Sequence, residues 1–223
     1  AVSVVLACSH AYVASKYEGV QVLVVSGSGA PVVVGGRDTD VLALDGAVSG
    51  QMAFVAEDSA GLVIVDVSNH ASPVRKGGCD TTGNATGVAV SGDYALVADW
   101  GSSLQVIDVS NPSSPVVVAT CAVPGAARGV TVAGELAYVA YSTSGLQIID
   151  ISNPRSPTVV GGCTTFTNAY DVAVVGDYAY VADISAGLQV VDVSDPTSPT
   201  VVASLPAADG VGAWDTWIGS IES

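Results

Sequence analysis

Gly61-Leu62-Val63-Ile64-Val65-Asp66-Val67 decides how this chain is read, because it returns at a fixed step. Its copies are Ser103-Leu104-Gln105-Val106-Ile107-Asp108-Val109, Gly145-Leu146-Gln147-Ile148-Ile149-Asp150-Ile151 and Gly187-Leu188-Gln189-Val190-Val191-Asp192-Val193. A degenerate first copy is Gly19-Val20-Gln21-Val22-Leu23-Val24-Val25. The starts at 19, 61, 103, 145 and 187 are each 42 residues apart, with no insertion or deletion. Other columns keep the same step. One is Ala11-Tyr12-Val13-Ala14 and its copies from Ala53, Ala95, Ala137 and Ala179; another is Pro31, Pro73, Pro115, Pro157 and Pro199. A period of this size marks tandem supersecondary units.

Working outward, each unit reads as four short strands. An innermost strand of the Asp171-Val172-Ala173-Val174 type meets a tight turn such as Ser91-Gly92-Asp93, with the glycine that a hairpin wants. The second strand, such as Tyr178 to Ala182, leads through a short loop to the quoted third strand. A Ser-Asn-Pro or Ser-Asp-Pro turn then opens the fourth strand after the second proline, where a missing N–H costs nothing. No segment keeps a 3.6-residue apolar period, so helices are not expected. Near-continuous valine runs, rather than strict alternation, imply strands covered on both faces. The expected fold is an all-β, five-bladed β-propeller of 42-residue four-stranded antiparallel blades, at 1–42, 43–84, 85–126, 127–168 and 169–210. An open solenoid is the alternative. Residues 211–223 do not fit a unit. They carry Trp214, Trp217 and Ile218 and read as an extra strand or an assembly segment.

Leu62-Val63-Ile64-Val65-Asp66, together with the Val-Ser-Gly-Asp-Tyr-Ala pattern of Val90 to Ala95, resembles the signature of LVIVD-repeat proteins. The resemblance covers residues 1 to 210. The first repeat departs from it, with Val24 where the others have Asp66, Asp108, Asp150 and Asp192. The resemblance implies a β-propeller on bacterial or archaeal surface and secreted proteins. It implies no catalytic residue set.

Composition narrows the partners. Six Lys+Arg against 21 Asp+Glu give a formal net charge of −15, which opposes nucleic acid and anionic lipid. No apolar run approaches the length of a membrane span. No charged leader with an apolar core is present, and the chain starts at Ala1, so the expectation is a processed start or a fragment boundary. With sparse lysine and Ser/Thr/Gly-rich loops, the expected location is extracellular or at the cell surface.

Candidate chemistry is thin. The recurrent Asp before Ser68, Ser110, Ser152 and Ser194 reads as a turn lock that accepts backbone N–H groups, with a calcium loop as the alternative. Cys79, Cys121 and Cys163 share one column, too far apart on adjacent blades for disulfides, so free and mostly buried thiols are expected. His10 and His70 fall on turns of one face and form no catalytic constellation on their own. Asp45 and Asp171 share an inner column that otherwise holds Ser3, Gly87 and Gly129, so no acidic ring forms. Asn84-Ala85-Thr86 is a glycosylation sequon. No catalytic residue, cofactor or metal site is expected.

The turns of one face agree between repeats, whereas the loops of the other diverge. The varied face carries Tyr17, Trp100, Tyr141, Phe166 and Tyr170 with Asp99 and Asp183. Aromatics beside polar groups suit a sugar ring or a protein patch. Two functions follow. The first is a non-enzymatic structural or adhesive module that self-associates through the tail and open strand edges. The alternative is a carbohydrate- or protein-binding module using the varied face.

Overall fold

The computed structural model describes residues 2–25, 30–39, 41–101, 103–165 and 168–207. Among them every regular element is a strand, and the strands form five four-stranded antiparallel sheets. The first sheet is β1 (Ser3–Ala7), β2 (His10–Ser15), β3 (Gly19–Val24) and β4 (Val32–Arg37). The second is β5 (Asp45–Ser49), β6 (Met52–Ala56), β7 (Leu62–Asp66) and β8 (Val74–Cys79). The third is β9 (Ala85–Ser91), β10 (Tyr94–Asp99), β11 (Ser103–Asp108) and β12 (Val116–Cys121). The fourth is β13 (Ala127–Ala133), β14 (Leu136–Tyr141), β15 (Gly145–Asp150) and β16 (Thr158–Cys163). The fifth is β17 (Ala169–Val175), β18 (Tyr178–Asp183), β19 (Gly187–Asp192) and β20 (Thr200–Leu205). Each sheet is a simple meander in chain order. The chain groups into two compact units, Ala1–Val118 and Ala119–Ser223, the division falling within β12.

Period-two alternation places every second side chain on the opposite face. Here both sets are apolar, and both are covered. In the first unit, Tyr12 and Val22 of one sheet pack on Ala53, Val63, Val65 and Val67 of the next. The other face of that second sheet, Phe54, Ala56, Leu62 and Ile64, packs on Ala95, Val97, Ile107 and Val109. In the second unit, Tyr138, Ala140, Leu146 and Ile148 meet Val172, Ala179, Val181 and Val191. The core is therefore a set of sheet-on-sheet layers rather than one central mass.

Glycine allows the sheets to approach. A Cβ on Gly77 would stand 2.3 Å from the Pro112 carbonyl oxygen, and one on Gly161 2.1 Å from that of Pro196. The outer strand of one repeat thus lies against the turn before the outer strand of the next. The recurrent Asp locks that turn: Ser68, Ser110, Ser152 and Ser194 donate their N–H to Asp66, Asp108, Asp150 and Asp192 at 2.9, 3.1, 2.8 and 3.0 Å. These bonds, joined for Asp66 by Lys76 at 3.0 Å, hold its carboxyl down to about 2.

Two expectations shift. All four cysteines are free, but only Cys121 is buried, and Cys8 is exposed because it occupies the outermost point of the β1–β2 turn. Burial pushes the Cys79, Cys121 and Cys163 thiols up, so they stay protonated. The second strands of the third to fifth repeats also run one residue further toward the varied face than the sequence pattern implies, to Asp99, Tyr141 and Asp183.

Candidate loop face and turn-face cleft

That extra strand residue reorganises the varied face. Glu57, Asp99, Tyr141 and Asp183 share one column, and all four are buried. The Asp99 carboxylate accepts the N–H of Gly83 at 3.2 Å and of Gly101 at 3.0 Å. Asp183 accepts from Asn168, Ser185 and Ala186 at 3.1, 3.1 and 3.0 Å. A buried carboxylate is tolerable when charge-assisted bonds take up its oxygens. These two therefore staple a second-to-third-strand loop to the connection that enters the same sheet. Tyr141 fills the equivalent space with an aromatic ring, and Ser142 beside it donates its N–H to the Ala126 carbonyl at 2.9 Å. The structure places Asp99, Tyr141 and Asp183 beneath the loop face, not on it.

Tyr17 and Trp100 stand on the face, 83% and 51% exposed. Tyr17 borders a shallow cleft of about 310 Å³ with Thr39, Val41, Leu42 and Asp58. The exposed Asn84 of the sequon donates its amide to the Asp58 carboxylate and offers its carbonyl to Trp100 N–H at 2.9 Å. Phe166 and the tail residues Trp214, Trp217 and Ile218 lie outside the described residues.

In the second unit the loop face holds a bulge that sequence alone does not reveal. Gly129 pairs with Ala140 and Ala127 with Tyr141, leaving Arg128 as the extra residue; Tyr170 is extra in the same way between Ala169 and Asp171. A bulge re-aims its side chain. The result is the Arg128 guanidinium carbon 5.1 Å from the centre of the Tyr170 ring, a cation–π pair. Of the two inner-column acids, Asp45 accepts the Val88 N–H at 2.9 Å, bracing adjacent repeats. Asp171 lies against Gly129, where a Cβ would meet its oxygen at 2.3 Å.

The opposite, turn-bearing face brings His10 and His70 together, with parallel rings 3.8 Å apart. Tyr12, a buried residue of β2, sends its hydroxyl to His70 Nε2 at 3.1 Å. Among the described residues no group of three or more His, Cys, Asp or Glu side chains is placed so that it could hold a metal ion, and no helix is long and apolar enough to cross a membrane.

Repeated meanders of four antiparallel strands, stacked by matching columns, define a β-propeller-like repeat protein. The LVIVD-repeat family model matches residues 43–81, 82–123, 124–165 and 167–205, and the chain belongs to that family. A search of curated proteins finds no sequence match. Among solved structures, a functionally unknown protein from Desulfotomaculum acetoxidans is similar, with a TM-score of 0.77 and 16% identity over 92% of this chain and 70% of that one. The computationally designed Ika8 protein has a TM-score of 0.72 at 6% identity, and a chain of a nidogen/laminin complex 0.71 at 12%. Each of those alignments covers 96% of this chain. They span 63% of the designed chain and 82% of the other. At these identities the likeness is one of fold.

Proposed function

We propose that the protein is a non-enzymatic structural or adhesive module, placed outside the cell or on its surface, that associates with further copies of itself. The contacts run through the tail, open strand edges and exposed apolar side chains of the first and fifth sheets. One contrast between equivalent side chains carries this reading. Val88 and Val172 are buried against the preceding sheet, but their equivalent Val4 is 41% exposed, and Leu6 beside it 54%. Val160 and Cys163 pack into a following sheet, but their equivalents Val202 and Leu205 are 53% and 67% exposed. Leu146 and Ile148 are fully buried, whereas Leu188 and Val190 are only half-buried.

The bare face of the first sheet is thus the kind that each sheet turns to its predecessor. The bare face of the fifth is the kind turned to a successor. The two are complementary by the same columns that pack the interior, which supports a head-to-tail contact between copies. Exposed apolar faces of this type mark association surfaces, and the outer strands add unpaired edges. Residues 211–223, with Trp214, Trp217 and Ile218, belong to the proposal as its tail element. The surface or secreted location rests on composition and on the family resemblance. The experiment is sedimentation of the full chain across a concentration series. Growth of the assembled fraction with concentration supports the proposal, and a monomer throughout rejects it.

A second reading has its own observation. The Arg128–Tyr170 pair presents an aromatic ring and a cation on the loop face, which suits a sugar ring or a protein patch. Tyr170→Ala and Trp100→Ala should each abolish retention on a glycan or partner array if this face binds. Unchanged retention rejects it. Tyr141 is buried, so its replacement reports on folding.

A further inference from the structure

Tyr17 buries almost nothing. Its ring is 83% exposed, and its column otherwise holds the small residues Ser59, Gly101, Thr143 and Ser185. The fold therefore has no use for an aromatic ring there. One position earlier the column reads Lys16, Asp58, Trp100, Ser142 and Ile184. Of these only Asp58 takes a left-handed backbone, at φ 35°. Thr82, in the connection that leads to β9, does the same at φ 66°, which is unusual for a β-branched residue. Such outliers gather at functional sites, where the surrounding structure holds them in place. Both adjoin one contact, in which the Asn84 amide donates to the half-buried Asp58 carboxylate.

These loops are fastened in advance. The Ala43 N–H donates to the Lys16 carbonyl at 3.0 Å, and the Ala85 N–H to the Asp58 carbonyl at 2.8 Å, so each loop is tied to the segment that enters the next sheet. The Trp100 N–H donates in turn to the Asn84 main-chain carbonyl at 2.9 Å. A surface set before binding spends less on ordering itself. Tyr17 and Asp58 border a cleft of about 310 Å³, and ligand sites begin at about 300 Å³. Val41 and Leu42 give the cleft apolar ground, and Asp58 is its one charged lining residue. The Thr39 hydroxyl donates to the Val41 carbonyl at 2.8 Å, so its oxygen can still accept. A carboxylate that takes one bond from Asn84 likewise keeps room for another donor.

We propose that this cleft binds a neutral pyranose chain. The Tyr17 ring stacks on the C–H face of one sugar, and Asp58, Asn84 and Thr39 bond its hydroxyls. Trp100, 51% exposed, offers a second stacking surface on the same loop face. An aromatic ring beside a few fixed polar groups matches the two-sided character of a pyranose. A single carboxylate already bonded by an amide is a poor match for the repeated positive charge of a basic peptide. The proposal rests on the reading that the loop face binds, and names a site and a ligand class for it within the first unit. It does not depend on self-association.

The test is calorimetric titration of the full chain, made in a host that adds no glycan to Asn84, with cellohexaose, mannohexaose, N-acetylchitohexaose and hexalysine. The variants are Tyr17→Ala, Tyr17→Phe and Asp58→Asn. Tyr17 is exposed, and asparagine tolerates a left-handed backbone as aspartate does, so each should fold; circular dichroism checks this. The expected result is saturable binding of at least one hexasaccharide, weakened at least tenfold by Tyr17→Ala and by Asp58→Asn, kept by Tyr17→Phe and insensitive to salt. No binding of any hexasaccharide by the wild type would overturn the proposal, whether or not the loop face retains a protein partner. Sugar binding that Tyr170→Ala removes and Tyr17→Ala leaves intact would overturn this site while the loop-face reading stands. Binding of hexalysine alone, lost in salt, would assign the cleft to a basic peptide and overturn the sugar.

Discussion

Replacing Gly161 by alanine probes the layer-on-layer packing directly. Gly161 does not lie in the left-handed region, so alanine is acceptable to its own backbone and would ordinarily be neutral or better. The cost comes from the neighbour. The added Cβ falls 2.1 Å from the Pro196 carbonyl oxygen and 3.1 Å from the Thr197 carbonyl carbon. Both belong to a turn locked by Asp192 and Asp195, so the strand and the turn must separate. Overpacking of this kind costs about 1–3 kcal/mol, and contact with backbone rather than a flexible side chain puts it at the upper end. At about 2–4 °C per kcal/mol for a chain of this size, the midpoint falls by about 6–12 °C. Gly176→Ala is the matched control. It has φ 56° with nothing within 4 Å of its Cβ, so only the left-handed backbone is penalised, by about 1 kcal/mol or 2–4 °C. Thermal circular dichroism on the two variants separates packing from backbone strain. If Gly161→Ala melts no lower than Gly176→Ala, the close stacking of β16 on the turn before β20 is not what holds the second unit.

Other expectations follow from the same geometry. Cys8→Gly relieves a left-handed non-glycine residue and should raise stability by about 1 kcal/mol, read as a higher thermal midpoint; a lower midpoint would show that the thiol packs. Asp183→Ala strips acceptors from three backbone N–H groups and should cost about 2–4 kcal/mol by denaturant titration, with increased hydrogen exchange at Asn168, Ser185 and Ala186. The Asp66, Asp150, Asp192 and Asp195 carboxyls are all held down by their Ser or Thr partners. Their folded pKa values lie below the unfolded ones, so the stability each lock contributes is present above the unfolded carboxylate range and lost as pH falls through its folded value, about 2 for Asp66. Carboxyl shifts followed by NMR should show Asp66 titrating near the bottom of that window, and an ordinary midpoint would refute its lock.

What was legible in the sequence follows from what repeats. Strand order, turn positions and the role of Asp66, Asp108, Asp150 and Asp192 could be read because five copies solve one problem with one residue. The loop face was misjudged where copies solve one problem with different residues. Glu57, Asp99, Tyr141 and Asp183 look like drift toward specificity, yet they occupy one buried column at a strand end. The bulges that re-aim Arg128 and Tyr170 depend on pairing register, which no single strand encodes. The paired glycines of the outer strands have a similar explanation. Gly161 admits a neighbouring turn, and Gly162 admits the side chain of Gln147, whose amide is tied to the Ser144 carbonyl at 2.9 Å. The His10–His70 contact was suggested only by a shared face. Tyr12 gave no signal, because its column, with Phe54, Leu96, Tyr138 and Tyr180, reads as core.

The central proposal is that the exposed apolar side chains of the first and fifth sheets join copies of this chain head to tail. Its most direct test is light scattering coupled to size exclusion on Leu6→Glu, Leu205→Glu and an equimolar mixture of the two. Leu6→Glu spoils only the face of the first sheet, and Leu205→Glu only that of the fifth. The account expects the wild type to assemble, each variant to remain monomeric, and the mixture to stop at dimers, because one intact face of each kind remains. A monomeric wild type, or variants that assemble as it does, would contradict it.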